Sequence, residues 1–193
     1  VAQHRGGAQT VSPSVPASEM PRPDWLLLED GPLIAVNKPV DILTEGVPVG
    51  VPTMVGLVKQ FLAAKYQKTG NVYLGIPHRL DRASSGVLVM TRNSKAAARV
   101  AHQFEHREVR KIYWALLEQA PPEPTGELVD WLLKKPDEAR TEVVPAGTAE
   151  AKEAKLRYRV LGPQPLGLLV EVELLTGRMH QIRAQFSSRG CSI

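Results

Sequence analysis

The sequence has 193 residues, of which 43% are hydrophobic, and a formal net charge of +4. This length and composition suit one globular domain with a sizeable core. A single cysteine, Cys191, excludes an internal disulfide and a CxxC zinc site, and no apolar run is long enough for a membrane span. We therefore expect a cytoplasmic protein without a membrane anchor.

The chain begins with a stretch of low apolar content. Residues 1–24 are rich in glycine, serine, proline and alanine, which predicts a disordered tail before an ordered domain over residues 25–193. Short apolar or alternating runs then predict five strands, at residues 33–36, 87–90, 111–117, 155–160 and 168–175. The run at residues 87–90 is continuous, as in a strand that is buried on both faces.

Three helices are predicted between and after these strands. Thr53 is a suitable N-cap for the first, because apolar residues follow it at helical spacing through Leu62. Asn93 or Ser94 caps the second, and residues 179–187 form the third. Strands outnumber helices and do not alternate regularly with them, which is typical of an α+β domain with a largely antiparallel or mixed sheet.

Charge is distributed unevenly along the chain. Residues 78–111 contain eight Lys/Arg and three Asp/Glu, whereas residues 117–153 contain four Lys/Arg and nine Asp/Glu. Residues 177–190 contain three Lys/Arg and no Asp/Glu. A basic face attracts phosphate backbones, so the first and third segments are candidates for nucleic-acid binding. A solvated surface with chance clustering explains the same counts.

The segment HRLDRASSG at residues 78–86 is the strongest candidate for chemistry. Asp81 lies on a loop just before a predicted strand, and Arg79 and Arg82 flank it. A strand can hold such a loop rigidly, and a nearby guanidinium keeps a carboxylate ionised. An ionised, oriented carboxylate acts as a nucleophile or a general base. A surface loop with one ion pair is the simpler interpretation from composition alone.

Four ordered motifs make the chain similar to a known family. Residues 78–86 resemble the HRLD-x-x-[TS]-S-G signature of the RluA-like pseudouridine synthases, which modify ribosomal and transfer RNA. The NKP at residues 37–39, the KIY at residues 111–113 and the GRMHQIR at residues 177–183 resemble three further family motifs in the family's order. The resemblance covers residues 25–193. It implies a bent sheet flanked by helices, with the active site in a cleft along the sheet.

The resemblance also implies a role for each matched position. Asp81 would be the catalytic carboxylate, Arg183 would pair with it and orient it, and Tyr113 would lie against the displaced uracil. Arg79 would enter the RNA helix and help to displace the target base. The remaining candidate RNA contacts are Arg82, Lys111, Arg178 and Lys38. Neither a metal nor another cofactor is expected, because the reaction is an isomerisation, and the expected partner is ribosomal or transfer RNA.

The chain departs from the family pattern in three places. Ser84 stands where the family often has threonine, which keeps the hydroxyl. Asp41 stands where the family often has glycine, although aspartate tolerates unusual backbone angles. The family also continues with further strand and helix beyond the position of Ile193, so we expect a domain that is incomplete at its C-terminus. An RNA-binding fragment that has lost catalysis is therefore an alternative function.

A second alternative is a zinc metalloprotease. Residues 102–106 match the HxxEH motif, with His102 and His106 four residues apart and Glu105 beside them. Glu171 is a candidate third ligand. However, the motif is short, and the two histidines extend a basic stripe formed by Lys95 and Arg99, whose charges would repel zinc. A polar or RNA-facing helix surface accounts better for the pattern.

Overall fold

The computed structural model describes residues 23–46, 50–135, 138 and 140–193. The tail predicted at residues 1–24 lies outside the described residues except for its last two. Among the described residues there are three helices and eight strands, and every pair of neighbouring strands is antiparallel. The predicted α+β class with a largely antiparallel sheet is therefore confirmed.

The chain divides into two compact units, one ending at Ala101 and the other beginning at His102. The N-terminal unit contains a three-stranded sheet in the order β1-β2-β3 and a helix between its last two strands. These elements are β1 (Leu26–Asp30), β2 (Leu33–Lys38), α1 (Met54–Lys65) and β3 (Gly86–Thr91). The unit boundary falls within α2 (Ser94–Glu105).

The C-terminal unit contains a five-stranded sheet in the order β4-β8-β7-β5-β6, followed by a short helix. Its elements are β4 (Ile112–Leu117), β5 (Thr125–Lys134), β6 (Thr141–Val144), β7 (Lys152–Gln164), β8 (Gly167–Leu174) and α3 (Gln181–Ser187). The resemblance implied one bent sheet, whereas the strands are hydrogen-bonded as two sheets, one in each unit.

Local capping signals were predicted correctly. The hydroxyl oxygen of Thr53 accepts a hydrogen bond of 3.0 Å from the N–H of Gly56 at the start of α1. The side-chain oxygen of Asn93 accepts one of 2.8 Å from the N–H of Ala96 in α2. Both bonds satisfy an N–H that has no partner inside the helix, which explains why the helices begin where they do.

The burial expected for β3 was wrong in part. Leu88 and Met90 are fully buried, but Val87 is 57% exposed. Successive side chains of a strand point to opposite faces, so Leu88 and Met90 lie on the buried face of β3 and Val87 lies on the other face, which is open to solvent near the start of the strand. A continuous apolar run therefore does not require burial on both faces.

The core of the C-terminal unit lies between its sheet and α3. Nine buried residues form it: Ala115, Leu117, Leu128, Leu156, Tyr158, Val170, Val172, Phe186 and Cys191. Phe186 is 1% exposed, and its ring meets that of Tyr158 edge to face with centroids 5.5 Å apart. Burying such a side chain contributes about 2–3 kcal/mol, so Phe186 is the main apolar anchor of α3.

No helix in the part of the chain that the structure describes is both long enough and apolar enough to cross a membrane.

Glu29 connects the elements of the N-terminal unit. Its carboxylate pairs with Lys65 of α1 at 2.7 Å and with Arg92, just after β3, at 3.0 Å, and it accepts a hydrogen bond from the Tyr66 hydroxyl. Burial raises the pKa of Glu29, but these hydrogen bonds and charges outweigh it, and the pKa lies below its usual 4.5. The folded unit therefore favours the ionised carboxylate.

Replacing Glu29 with glutamine is expected to lower the free energy of unfolding by about 1–2 kcal/mol at neutral pH. Since folding lowers the pKa, this stabilisation is complete above pH 4.5 and is lost as the pH falls through the lowered value. Urea unfolding of both proteins at about pH 7 and about pH 3 measures it. Glu108→Gln, at an exposed carboxylate, is the control. A difference in stability that does not shrink in acid would contradict the assignment.

Candidate functional site

The loop that contains Asp81 is held by the backbone on both sides of it. On one side, the buried Thr44 hydroxyl donates to the carbonyl of Leu80 at 2.9 Å and accepts from the N–H of Leu80 at 3.2 Å. On the other side, the carbonyl of Arg82 accepts from the N–H of Asp41 at 2.8 Å. The N–H of Ser84 donates to the carbonyl of Asp81 itself at 3.0 Å, which closes a turn. Asp81 itself is half-buried, between backbone groups that are hydrogen-bonded on both sides of it.

Lys38 is the cation beneath this loop. Its side chain is fully buried at the end of β2, and its ammonium donates to the carbonyls of Pro39 at 2.8 Å, Ile42 at 2.8 Å and Arg82 at 3.4 Å. Burial lowers the pKa of Lys38, and the negative charges of Asp81 and Asp41 partly oppose that shift. A positive charge therefore lies near the Asp81 carboxylate inside the N-terminal unit.

The expectation that Lys38 contacts RNA is corrected by this geometry. A side chain with no exposed surface, whose ammonium protons are directed at backbone carbonyls, is not available to a phosphate group. Lys38 instead joins the turn after β2 to the Asp81 loop. Arg79 and Arg82, in contrast, are exposed on either side of Asp81 and remain suitable for RNA contacts.

Three cations lie close together in the C-terminal unit. Burial lowers the pKa of Lys111, which precedes β4, and the positive charges of Arg107 and Arg178 lower it further. The guanidinium of Arg178 is held by a hydrogen bond of 2.9 Å from its Nε to the carbonyl of Glu153. Like charges brought together in this way are suited to binding an anion.

Arg107 was not singled out in the sequence. It follows α2 with a left-handed backbone, φ 60°, and only its place within the basic segment at residues 78–111 could have suggested it.

Tyr113 and Arg183 are also placed by the C-terminal unit. Tyr113 is half-buried in β4 opposite Val172 and packs against the core described above. Arg183 lies on the exposed side of α3, whereas Gln181, Gln185 and Phe186 of the same helix are buried. The helix begins two residues later than predicted, because His180 adopts a left-handed backbone with φ 51°. The contact of Arg183 with Asp81 stays a prediction.

A family model described as RNA pseudouridylate synthase matches residues 32–188. The chain belongs to the RNA pseudouridylate synthase family. The match includes the Asp81 loop and the segments that contain Lys111, Tyr113, Arg178 and Arg183.

Known members of the family are similar over most of this chain. An uncharacterized RNA pseudouridine synthase of Chloroflexus aurantiacus is 38% identical over 161 residues, which cover 81% of this chain and 48% of that protein. Ribosomal large subunit pseudouridine synthase D of Zymomonas mobilis is 31% identical over 182 residues, which cover 92% of this chain and 57% of that protein. The chain therefore spans about half the length of the curated relatives it matches.

A solved structure of the family agrees with this fold. Human RNA pseudouridylate synthase domain containing 4 superimposes with a TM-score of 0.73 at 25% sequence identity, over 87% of this chain and 66% of that one.

The alternative of a zinc metalloprotease is not favoured. The rings of His102 and His106 are stacked on each other with centroids 3.8 Å apart, and the Nδ1 of His106 lies 2.9 Å from the carbonyl oxygen of His102. Glu171, the candidate third ligand, is paired with Arg159 at 3.1 Å. In the described ranges, no three His, Cys, Asp or Glu side chains are grouped so that they could hold a metal ion.

Proposed function

We propose that this protein isomerises uridine to pseudouridine in RNA, with Asp81 as its catalytic carboxylate. The observation that supports the proposal most directly is the Asp81 loop, which lies within the segment that matches the family model and whose backbone is held on both sides by Thr44 and Lys38. A carboxylate attached to a fixed backbone can be presented to one atom of the substrate in a defined orientation.

The chemistry explains which groups are needed. The bond between ribose C1′ and uracil N1 breaks, a bond between C1′ and C5 forms, N1 gains a proton, and the C5 proton is released to water. Asp81 acts either by trapping the sugar or base between these steps or by starting elimination from the sugar. Tyr113 lies against the flipped uracil, and Arg183 orients the Asp81 carboxylate.

RNA binding is assigned to the exposed cations. Arg79 enters the space left by the flipped base, and Arg82 contacts the neighbouring backbone. Lys111 and Arg178, together with Arg107, form the cationic group that we assign to phosphates of the RNA. Residues 25–193 form the catalytic domain in this proposal. Ribosomal RNA is the favoured substrate, because one relative is named for the large ribosomal subunit, and transfer RNA is the alternative. The proposed location is the cytoplasm.

The direct test is to express the protein in cells that lack their own enzymes of this family and to map pseudouridine across total RNA. We expect a new pseudouridine at one or a few positions, and its location identifies the substrate. RNA that is bound but not modified would support instead the alternative of a binding fragment without catalysis. RNA that is neither bound nor modified would contradict the proposed function.

RNA affinity is expected to fall steeply as salt rises. If Arg82, Lys111 and Arg178 each neutralise a phosphate, a plot of log affinity against log salt has a slope of about −2.5. Fluorescence anisotropy titrations between about 50 and 300 mM salt measure this slope. The double variant Arg79→Gln/Arg82→Gln should reduce its magnitude by about one, because Arg82 is the member of the pair that contacts the RNA backbone.

The control for this change in charge is the double variant Lys68→Gln/Lys134→Gln, at exposed lysines away from the proposed contacts. A flat salt response, or an equal loss from both double variants, would contradict the assigned binding residues.

A further inference from the structure

A chain of buried side-chain hydrogen bonds runs beneath the segment that contains Arg178 and Arg183. Gln185 is fully buried, Gln181 is 2% exposed and Thr176 is 5% exposed. Buried amides are costly unless they are hydrogen-bonded, so their partners define where the segment lies.

Gln181 uses both ends of its amide. Its Oε1 accepts from the Thr176 hydroxyl at 2.7 Å and from the N–H of Arg178 at 3.0 Å. Its Nε2 donates to the carbonyl of Lys155 at 3.0 Å and to the Oε1 of Gln185 at 3.0 Å. Two acceptor bonds and two donor bonds satisfy the whole amide and allow it one orientation.

The chain continues from Gln185 towards solvent. The Nε2 of Gln185 donates to the Oδ2 of Asp130 at 2.7 Å and approaches the carbonyl of Ala154 at 3.4 Å. Asp130 in turn pairs with Arg189 at 2.9 Å, where the side chain of Arg189 is 32% exposed. These bonds connect α3 to β7 and β5, in addition to the apolar contact made by Phe186.

The helix depends on such contacts because it is short. α3 has seven residues, fewer than an isolated helix needs to be stable in water. His180, the residue before it, makes no side-chain cap bond. Gln181, the first residue of the helix, instead reaches back to the N–H of Arg178 and fixes the turn that leads into α3.

We infer that Gln181 and Gln185 are positioning residues for the isomerisation, which hold the turn and α3 so that Arg178 and Arg183 are presented in one orientation. The inference rests on the proposed function. Arg183 follows Gln181 by two residues, about 200° around the helix, so its exposed position is set by the burial of the glutamines. A displacement of about 1 Å in a group that orients the reacting atoms lowers the rate about 100-fold.

A purely structural role would have a different signature. In that case, the rate of isomerisation and the stability of the fold would fall together. Loss of the ion pair between Asp130 and Arg189 would then lower the rate as much as loss of the Gln181 amide does. The comparison therefore uses Gln181→Met, which keeps the side-chain volume and removes four hydrogen bonds, and Arg189→Met, which removes the solvent end of the chain. Gln164→Met is the matched control, because Gln164 is exposed in the same unit.

The rate is measured by tritium release under single turnover, because the C5 hydrogen of uridine leaves in the reaction. The probes are C5-tritiated transcripts of large-subunit ribosomal RNA and of transfer RNA, and filter binding gives the dissociation constant. Hydrogen–deuterium exchange of residues 176–187 reports the order of the turn and α3.

At a temperature where all variants are folded, Gln181→Met is expected to lower the rate about 10- to 100-fold with a dissociation constant within about threefold of wild type. Exchange in residues 176–187 should accelerate. Arg189→Met should lower the melting temperature and keep the rate within about threefold, and Gln164→Met should change neither. If Gln181→Met does not fold, Gln181→Glu replaces it, since the carboxylate keeps both acceptor bonds and loses both donor bonds.

The inference is overturned if hydrogen–deuterium exchange in residues 176–187 of the Gln181 variant is unchanged, or if its rate stays within about twofold of wild type. It is also overturned if Arg189→Met lowers the rate as much as the Gln181 variant does at the same loss of stability. Wild-type protein that releases no tritium from either RNA would count against the proposed function. The exchange measurement would still decide whether Gln181 orders the turn and α3.

Discussion

Replacing Asp81 with asparagine is expected to lower the rate of pseudouridine formation at least about 10³-fold, because the amide can act neither as a nucleophile nor as a base. Asparagine has almost the same shape, and the backbone bonds at Leu80, Asp81 and Arg82 do not involve the replaced atom. The fold and RNA affinity should therefore change little. Tritium release under single turnover measures the rate, and thermal melting and filter binding measure the other two.

Asp41 provides a matched control for this substitution. It also acts electrostatically on Lys38, and it is exposed. Its backbone has a left-handed φ of 64°, which asparagine tolerates as well as aspartate does. Asp41→Asn therefore makes the same chemical change next to the same cation, and the rate should stay within about threefold of wild type. Equal losses from Asp41→Asn and Asp81→Asn would show that Asp81 acts only through the local charge, which would contradict its role as the reacting carboxylate.

Features that depend on neighbouring residues could be predicted from the sequence. The caps at Thr53 and Asn93 bond to an N–H three residues away, so a local pattern contains all that determines them. The alternation of apolar and basic residues along β7 likewise predicted its buried face, which contains Leu156 and Tyr158. Such signals were sufficient for the α+β class.

Two strands of the C-terminal unit were missed. β5 begins at Thr125, directly after a stretch with prolines at positions 121, 122 and 124, and β6 is only four residues long. The two buried leucines of β5, Leu128 and Leu132, are four residues apart, a spacing typical of a helix. Pairing with β7 along eight residues makes this segment a strand, and such pairing between distant segments leaves no local pattern.

The hydrogen bonds that hold the site in place could not be predicted from the sequence. The motif residues Asp81 and Arg183 were found by resemblance, but the bonds that hold their segments join residues far apart in the chain. Lys38 contacts the carbonyl of Arg82, 44 positions away, and Gln185 contacts Asp130, 55 positions away. Composition predicts that a lysine is exposed, and burial at Lys38 is possible only because two carbonyls of the turn after β2 and one of the Asp81 loop converge on it.

Replacing Lys38 with methionine is expected to lower the free energy of unfolding by about 3 kcal/mol, since it leaves the carbonyls of Pro39, Ile42 and Arg82 without their buried donor. For a domain of this size, the melting temperature should fall by about 10 °C. Methionine fills most of the same volume, so the loss is assigned to hydrogen bonds rather than to a cavity. Lys68→Met, at an exposed lysine, is the control and should change the melting temperature little.

The pH dependence of the stability difference between wild type and Lys38→Met distinguishes an effect of the buried ammonium from a simple effect of packing. Burial lowers the pKa of Lys38 below its usual 10.5. Between the lowered value and pH 10.5, the unfolded chain therefore binds this proton more tightly than the folded protein does, and folding becomes more favourable as the pH rises. The stability difference between wild type and Lys38→Met should grow across that window, because the variant has no proton at this position. Urea unfolding of both proteins at several alkaline pH values measures the difference, and Lys111 does not contribute because both proteins contain it. A difference that is constant with pH would show that Lys38 is not held as a buried cation beneath the Asp81 loop.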